Sequence, residues 1–472
     1  MQAEDEYRTA GSGLGQAESN RVLGAVNLRR GQYAQAIAVF DRAARALTAQ
    51  RARVPYAHAT LGSAEAHRRK ANPRKAEDLF ADARIVGSEV EQPAIEAAAI
   101  LGLGQIARLR GQSADAASLL DEADARLERH ARPALAAHAI LERARLALTA
   151  GEFDHAGMLV ERARTLTAQA EEQTGEAGPA STAARVAEDL ALALGQLPPA
   201  LASAAAALDL AGREADVLPM VDALLGLAEA MLRSDDLDAA IAAFNRVLDH
   251  PQAAEAALPQ ALAALGLARI LLRRGLYEEA ALQHQELLPR FKSADAPAAL
   301  ALAQLGIGDA RLQLGEYDAA RQAYAEAARL YMASGDVPGT ALAAEHEGGL
   351  LLETGELEAA VGRFSQAIAT VERLSANIAD GAARASYFDA RAPLYVAAIH
   401  AWALESNAAR AQEIAASYAG QAARPGRAAA GQRLREIERA IPTRGADLTK
   451  EQIERNKAIQ RILADARKAL SK

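Results

Sequence analysis

The chain has 472 residues, more than one compact core usually holds, and 51% of them are apolar although only 4% are aromatic. A core with so few rings is built from Ala, Leu, Ile and Val, which favours closely packed helix pairs over sheets. The absence of cysteine excludes disulfides, thiolate metal sites and cysteine nucleophiles. No apolar run reaches the roughly 20 residues that a membrane-spanning helix needs, so no membrane span is predicted.

The net charge of −8 hides an asymmetry between two parts of the chain. Residues 421–472 carry a net charge of +7 and the residues before them carry −15. An acidic body argues against nucleic acid as its ligand. The first six residues are acidic and lack the basic-then-apolar order of a signal peptide. We therefore expect a cytoplasmic protein, with a periplasmic one that has lost its signal peptide as the alternative.

Residues 1–16 are predicted to be an N-terminal linker. The stretch 11–15 contains three glycines and superficially resembles a phosphate-binding loop. It lacks the preceding strand and the lysine of such a loop, so the linker interpretation is preferred.

One period organises residues 17–375 into nine units. The step is about 40 residues, a length typical of helical repeat architectures. A single longer step occurs where residues 171–179 add a polar insertion. Alanine follows each recurring position at a fixed offset, and a bulkier residue such as Phe40 or Phe364 comes one helical turn later in most units. This spacing places both on one helix face, so each unit is predicted to be a helix pair that turns at the recurring position. The recurring positions are Gly31, Ala71, Gly111, Gly151, Gly195, Asp235, Gly275, Gly315 and Gly355.

The positions of the prolines independently indicate the same repeat boundaries. A proline lies just before or at the predicted start of the first helix in eight units, where proline is tolerated because the first turn needs no N–H donor. These residues are Pro55, Pro93, Pro133, Pro179, Pro219, Pro259, Pro297 and Pro338.

The repeated unit resembles the tetratricopeptide repeat signature. The residues that carry the resemblance in the first unit are Leu23, Gly24, Gly31, Tyr33, Ala36, Phe40 and Ala43, and similar residues recur from Gly308 to Ala327. The resemblance implies an all-α fold, a right-handed superhelix of about nine helix pairs whose first helices line a concave channel. The usual repeat has about 34 residues, so the longer unit predicts extra helical length shared by both helices. Both ends of such a solenoid need caps.

The period ends after Leu374. Residues 376–420 are predicted to form a degenerate helix pair and residues 421–472 a basic helical cap. Residues 424–427 are predicted to end this helix pair. Further helices are predicted over 433–440 and 449–470. Thr449 opens the last helix in a capping-box pattern, and an apolar stripe favours a cap over binding to a membrane or nucleic acid. The stripe comprises Ile453, Ile459, Leu463, Ala466 and Leu470.

Residues 384–395 and 411–421 resemble the connector between the tetratricopeptide repeats and the caspase-like peptidase domain of bacterial CHAT proteins. Ala416 and Ser417 depart from that pattern, which would place an acidic and a basic residue there. The resemblance implies that this chain is the sensor half of such a system, with a peptidase as its partner. The chain has no cysteine that could serve as a caspase-like nucleophile.

The ninth position of the repeats is predicted to face the channel and to bind the partner. Opposite charges are neighbours at three steps along this stripe, between 145 and 189, 229 and 269, and 269 and 309. The stripe forms either a ladder of ion pairs between repeats or a surface that recognises the charges of a partner. The two interpretations are compatible. Its residues are Glu65, Gln105, Arg145, Asp189, Glu229, Arg269 and Asp309.

The histidines indicate no catalytic or metal site. None forms a metal-binding motif on a helix face. His284 replaces a bulky packing residue and is predicted to be a half-buried core residue, whereas His346 is predicted to be solvated, with a pH-sensitive group as the alternative. We therefore expect no metal, no cofactor and no enzymatic activity.

The sequence predicts a scaffold or sensor that binds a protein or peptide segment, with regulation of a CHAT-type peptidase as one concrete version. The alternative is a ligand-sensing or peptide-sensing arm of a transcriptional regulator. That alternative requires a DNA-binding domain, and the sequence contains no recognisable one.

Overall fold

The computed structural model describes residues 13–130, 132–174, 179–214, 216–443 and 448–471, and none of them lies in a strand. Nine helix pairs follow one another. They are α1 (Gly13–Arg29) and α2 (Tyr33–Ala49), α3 (Arg53–Arg69) and α4 (Pro73–Glu89), α5 (Pro93–Leu109) and α6 (Ser113–Arg129), α7 (Pro133–Ala150) and α8 (Phe153–Thr174), α9 (Ala180–Ala193) and α10 (Leu197–Ala211), α11 (Val217–Arg233) and α12 (Leu237–Leu248), α13 (Ala257–Arg273) and α14 (Tyr277–Ser293), α15 (Pro297–Gln313) and α16 (Tyr317–Ala333), and α17 (Val337–Glu353) and α18 (Leu357–Ser375).

The turns inside the pairs confirm the predicted phase. All nine recurring positions have a left-handed backbone, with φ between 58° and 78°, including the non-glycine residues Ala71 and Asp235. In the first turn the Gly31 N–H donates to the Leu28 carbonyl and the Gln32 N–H donates to the Asn27 carbonyl. These bonds satisfy carbonyls at the helix end, as a left-handed C-terminal cap does.

Four of the turns between pairs repeat the same geometry. Arg51, Glu91, Asp295 and Gly335 also have positive φ, and each lies midway between two of the turns inside pairs. Helices α1 to α6 each have 17 residues. The extra length over a common tetratricopeptide repeat is therefore shared by both helices of a pair, as predicted.

Glycines let the rings of the second helices pack between first helices. The Phe40 ring occupies the space where a Cβ would stand on Gly24 of its own pair and on Gly62 of the next pair. Phe244 fills the same space at Gly266, and both rings are about 2% exposed. Burial of a ring at a joint between pairs stabilises the stack.

The first helices form the inner layer of a curved array. Each odd-numbered helix from α1 to α17 contacts the next odd-numbered helix as well as its own partner. Because successive odd helices contact one another, they lie on the concave side of the array, and the even helices lie on the convex side. The solvent-facing residues of the odd helices therefore line the channel.

The array curves so strongly that successive turns of the superhelix touch. The Ala34 N–H donates to the Glu255 carboxylate at 2.6 Å, the Ser113 hydroxyl donates to the Ser334 carbonyl at 3.2 Å, and the Asn377 amide donates to the Gly151 carbonyl at 3.2 Å. The separations are 221, 221 and 226 residues. One superhelical turn thus takes about five and a half repeats.

The C-terminal region differs from the prediction in its helix boundaries. It contains α19 (Gly381–Asp389), α20 (Ala392–Leu404), α21 (Ala408–Gln421), α22 (Arg424–Ala440) and α23 (Lys450–Leu470). The predicted degenerate pair is α20 and α21, and α19 is a separate short helix that Asp380 caps. The predicted break at 424–427 instead begins α22, because proline at position 425 fits a first helical turn.

The last helix docks on the body of the chain, as the apolar stripe predicted. Ile459, Leu463, Ala466 and Leu470 are buried in the same cluster as Tyr395, whereas Ile453 is only half-buried. The capping box at Thr449 is formed in both directions, since Thr449 and Gln452 each bind the other's backbone N–H.

The N-terminal boundary also differs. Helix α1 begins at Gly13, so residues 13–16 of the predicted linker are helical, because Ala17 already packs in the core of the first pair. Residues 1–12, which hold the rest of that linker and part of the glycine-containing stretch, lie outside the described residues, as do residues 175–178 of the insertion.

Candidate binding channel

The seven residues of the predicted stripe lie on the odd helices from α3 to α15. Their charged members keep between 19% and 33% of their side chains exposed. The neighbouring alanines on the same helices, Ala268 and Ala310, are fully buried. The stripe is therefore a partly exposed row of polar side chains on the inner layer of helices.

One of the three charge neighbours predicted along the stripe is a direct ion pair. Both Arg269 terminal nitrogens donate to the Glu229 carboxylate, at 2.6 and 3.2 Å. Burial opposes the ionisation of Glu229, but Arg269 outweighs it and holds the pKa of Glu229 below its usual value. This pair links α11 to α13, so the ladder interpretation holds at this step.

The other two neighbours are not ion pairs. Arg145 binds Glu142 at 2.9 Å and reaches Asp222 at 3.6 Å, while Asp189 binds Arg185 at 2.5 Å. Side chains three or four residues apart on one helix lie close together. Arg145 and Asp189 therefore pair with Glu142 and Arg185 of their own helices and not with each other. For Arg269 and Asp309, each has a different partner, Glu229 and His346 respectively.

The amino-terminal part of the channel is neutralised by its own side chains. Burial would raise the pKa of Glu65, but Arg68 and Arg69 both bind it and lower the pKa to about 2. Arg69 also binds Asp216, 147 residues away in sequence, at 2.8 Å. Arg108 binds Glu142 at 2.6 Å. These charges on α3, α5 and α7 are already paired, and the remaining stripe residue, Gln105, contacts Glu142 at 3.4 Å.

His346 is an ion-pair partner, and the prediction of a solvated histidine was wrong. Its Nδ1 lies 2.6 Å from an Asp309 oxygen, which also accepts a hydrogen bond from the Tyr324 hydroxyl at 2.8 Å. Burial lowers the pKa of His346, but Asp309 more than compensates and raises it to about 9. His346 is therefore a cation at neutral pH and joins α15 to α17.

His284 is a core residue, as predicted, and it is completely buried. Its Nδ1 lies 2.7 Å from the Ala280 carbonyl, and its ring occupies the space next to Gly306. Burial lowers its pKa below the usual value, which favours the neutral ring. It performs the packing role that a phenylalanine has in other repeats.

Two rows of leucines line the carboxyl-terminal part of the channel, and the sequence prediction missed them. They lie on α13, α15 and α17, at two positions that each recur once per repeat, and are half-buried except for Leu342, which is 37% exposed. The same period would have identified them if it had been applied to positions other than the charged one. The rows are Leu262, Leu302 and Leu342, and Leu272, Leu312 and Leu352.

The described residues offer no group of three or more side chains suited to hold a metal ion. Among the helices of the described ranges, none has the length and apolar character needed to cross a bilayer.

Comparison with known proteins agrees with the repeat assignment. Residues 189–254 and 305–373 match the tetratricopeptide repeat family model. Together with the nine stacked helix pairs, this match shows that the chain contains tetratricopeptide repeats. No curated protein matched the sequence.

Several solved structures are similar in fold. A Rap protein in complex with competence and sporulation factor shares 14% identity over 80% of this chain and 99% of its own, with a TM-score of 0.47. The human IFIT1 dimer with m7Gppp-AAAA shares 14% identity over 87% and 86%, with a TM-score of 0.41. A signal-transduction ATPase with a tetratricopeptide repeat sensor from Pyrococcus horikoshii shares 14% over 72% and 52%, with a TM-score of 0.39. At these identities the likeness concerns the repeat architecture alone.

Proposed function

We propose that the chain is a binding scaffold or sensor, not an enzyme, and that it holds a segment of a partner protein in the concave channel. The observation that carries this proposal is the channel lining itself. The inner face combines partly exposed charged groups with partly exposed leucines along repeat after repeat. A lining of this kind offers both apolar contact area and directional polar groups, which is what recognition of a protein segment requires.

The stripe from Glu65 to Asp309 is proposed to contact that segment. Internal ion pairs do not exclude this role, because a carboxylate or guanidinium retains further hydrogen-bonding capacity when one partner is bound. Arg269 is the best position for a test, since it lies between the acidic stripe residues Glu229 and Asp309 and 26% of its side chain remains exposed.

The test is Arg269→Glu, measured for both thermal stability and partner binding. Partners are captured from the native host with the full chain as bait and identified by mass spectrometry. The control is Arg274→Glu, which makes the same charge change at a turn where Arg274 pairs with Asp238 and is 45% exposed. The Arg274–Asp238 pair is exposed and worth roughly 0–1 kcal/mol, so the control should melt close to the wild type. The Arg269 and Glu229 side chains are only 26% and 25% exposed, so Arg269→Glu should melt lower, and binding is compared at a temperature where both variants are folded.

We expect the Arg269 variant to lose the captured partner and the Arg274 variant to retain it. Introducing a like charge beside Glu229 would leave an unpaired carboxylate at the interface, which costs far more in the complex than in the free chain. Retention of the partner by both variants would remove the stripe from the binding site.

A finer version of the proposal is that the channel regulates a CHAT-type peptidase. Its support is the resemblance of residues 384–395 and 411–421, which contribute to α19, α20 and α21 beside the final repeat. The test is co-purification of the full chain with a CHAT-type peptidase from the same host, followed by an assay of peptidase activity with and without it. Failure of the two proteins to associate would leave the general scaffold proposal intact and remove this version.

A further inference from the structure

The two ends of the channel differ in their lining. On α13, α15 and α17 the positions of the two leucine rows hold leucine in every repeat. On α3, α5 and α7 the positions equivalent to the first row hold histidine or alanine, and two of the three equivalent to the second row hold arginine. These residues are His58, Ala98 and His138, and Arg68 and Arg108. Leucine at the second position continues back through Leu232, Leu192 and Leu148, so the two rows occur together only on α13, α15 and α17.

The leucines flank a polar centre on the last of these helices. On α17, Leu342, Glu345 and Gly349 are spaced by three and four residues, so they share one face that looks into the channel. Gly349 occupies the stripe position here, and a Cβ at this residue would meet no atom within 4 Å. The channel is thus open next to Glu345, where earlier repeats fill the equivalent stripe position with a larger polar side chain.

Glu345 is a carboxylate with no partner. Within the described part of the chain it makes no hydrogen bond and no ion pair within 4 Å, unlike the carboxylates at the amino-terminal end of the channel. Burial raises its pKa, and the cations of His346 and Arg391 offset that effect only in part. A half-buried carboxylate that lacks a hydrogen-bonded partner gains from a cation supplied from outside.

We propose that α13, α15 and α17 bind a leucine-rich segment of a partner protein that carries a basic residue, with the basic residue placed at Glu345. This proposal rests on the proposed function, because it specifies the site and chemistry of the same channel. The leucine rows provide apolar contacts on both sides of the segment, and the strongly acidic body attracts a basic one. The space beside Gly349 admits the long side chain of lysine or arginine.

The test measures fluorescence anisotropy of a labelled, end-blocked, leucine-rich peptide with one central lysine, added to the full chain. The comparison peptide has glutamate in place of lysine. Two further variants are Leu342→Ser on the inner face and Leu282→Ser on the outer helix α14, where Leu282 is 60% exposed. Because both leucines are solvent-accessible, neither change should disturb the fold, and circular dichroism confirms this.

We expect the lysine peptide to bind at least about tenfold more tightly than the glutamate peptide, which is a difference of ~1.4 kcal/mol. Leu342→Ser should weaken binding and Leu282→Ser should not. Glu345→Lys should reverse the preference of the two peptides.

Equal binding of both peptides, no binding of either, or equal effects of the two serine variants would overturn the proposal. If the captured native partner still depends on Arg269 in that case, the channel function stands and only the assignment to these three helices fails.

Discussion

The joint between α10 and α11 differs from the joints that follow α2, α4 and α12, which share one pattern. At Phe40, Phe80 and Phe244 a ring from the second helix packs against a glycine on the next first helix. At the equivalent place after the longer step stands Ala204, which is too small to fill the space. The glycine that would receive the ring is still present, as Gly226.

A carboxylate occupies the space that the missing ring leaves. Position 188 corresponds to Gly24 or Ala64 in other repeats but holds glutamate. A Cβ on Gly226 would overlap the Glu188 carboxylate, and Glu188 is completely buried. Its oxygens have no hydrogen-bond partner within the described chain, although Arg185 lies 3.4 Å away. The polar side chains of Glu188 and Arg185 together thus replace an aromatic ring at this joint.

The volume of the side chains at a joint and their polarity can therefore vary independently from repeat to repeat. The volume at the joint is filled in both cases, because an empty cavity would cost contacts on all sides. The polarity is not preserved, and burial of a carboxylate is costly unless the group is protonated. The regular joint is set by packing, whereas the joint at Glu188 is also sensitive to pH.

The largest expected effect breaks a regular joint. Gly266→Val would drive a side chain into the Phe244 ring. Overpacking of a core costs roughly 1–3 kcal/mol and occasionally more. We expect a clearly lower midpoint in urea unfolding. The control is Gly349→Val on the open inner face, where the first added atom meets nothing within 4 Å. Equal losses of stability for both variants would show that valine disturbs the helix backbone at either position, and that its overlap with the Phe244 ring does not matter.

A smaller effect is expected at the joint of Glu188, whose contribution to the free energy of unfolding should depend on pH, unlike that of the joints filled by a ring. Burial raises the pKa of Glu188 to about 8 from an unfolded value near 4.5, and Arg185 offsets this only in part. The folded chain therefore holds a proton that the unfolded chain has released, so this contribution is complete below pH 4.5 and is lost as pH rises through 8. Stability should fall across this window.

The measurement is urea unfolding of the wild type and of Glu188→Gln at several pH values between 5 and 8. The amide has no titrating proton, so the difference in unfolding free energy between the two chains should change with pH in favour of the variant. His346, whose pKa is about 9, gives a slope of the same sign in both chains and cancels in the comparison. A difference that is independent of pH would mean that Glu188 is ionised in the folded chain.

Much of the fold could be predicted from local sequence. Gly31 and its eight equivalents marked every turn inside a pair, because the left-handed conformation there favours glycine. The turns between pairs use Arg51, Glu91 and Asp295, which carry no such signal, so the exact positions of those turns were not predicted. The short helix α19 was missed because the aromatic residues on both sides of its end read as one continuous helix.

The contents of the channel were predictable only in part. The stripe positions followed from the period, but their partners did not, since Arg145 on α7 reaches Asp222 two repeats away on α11. Such contacts depend on how tightly the whole array curves, which no local pattern determines.

The most direct test of the central claim is photocrosslinking of the captured partner to the full chain. A photoreactive phenylalanine derivative replaces Leu342 on the inner face of α17 in one variant and Leu282 on the outer helix α14 in the other. Both positions are exposed, so both variants should fold and present the reactive group to solvent. If the channel holds the partner, crosslinks form from position 342 and not from position 282. Crosslinks from position 282 alone would place the partner on the convex surface and contradict the channel as the binding site.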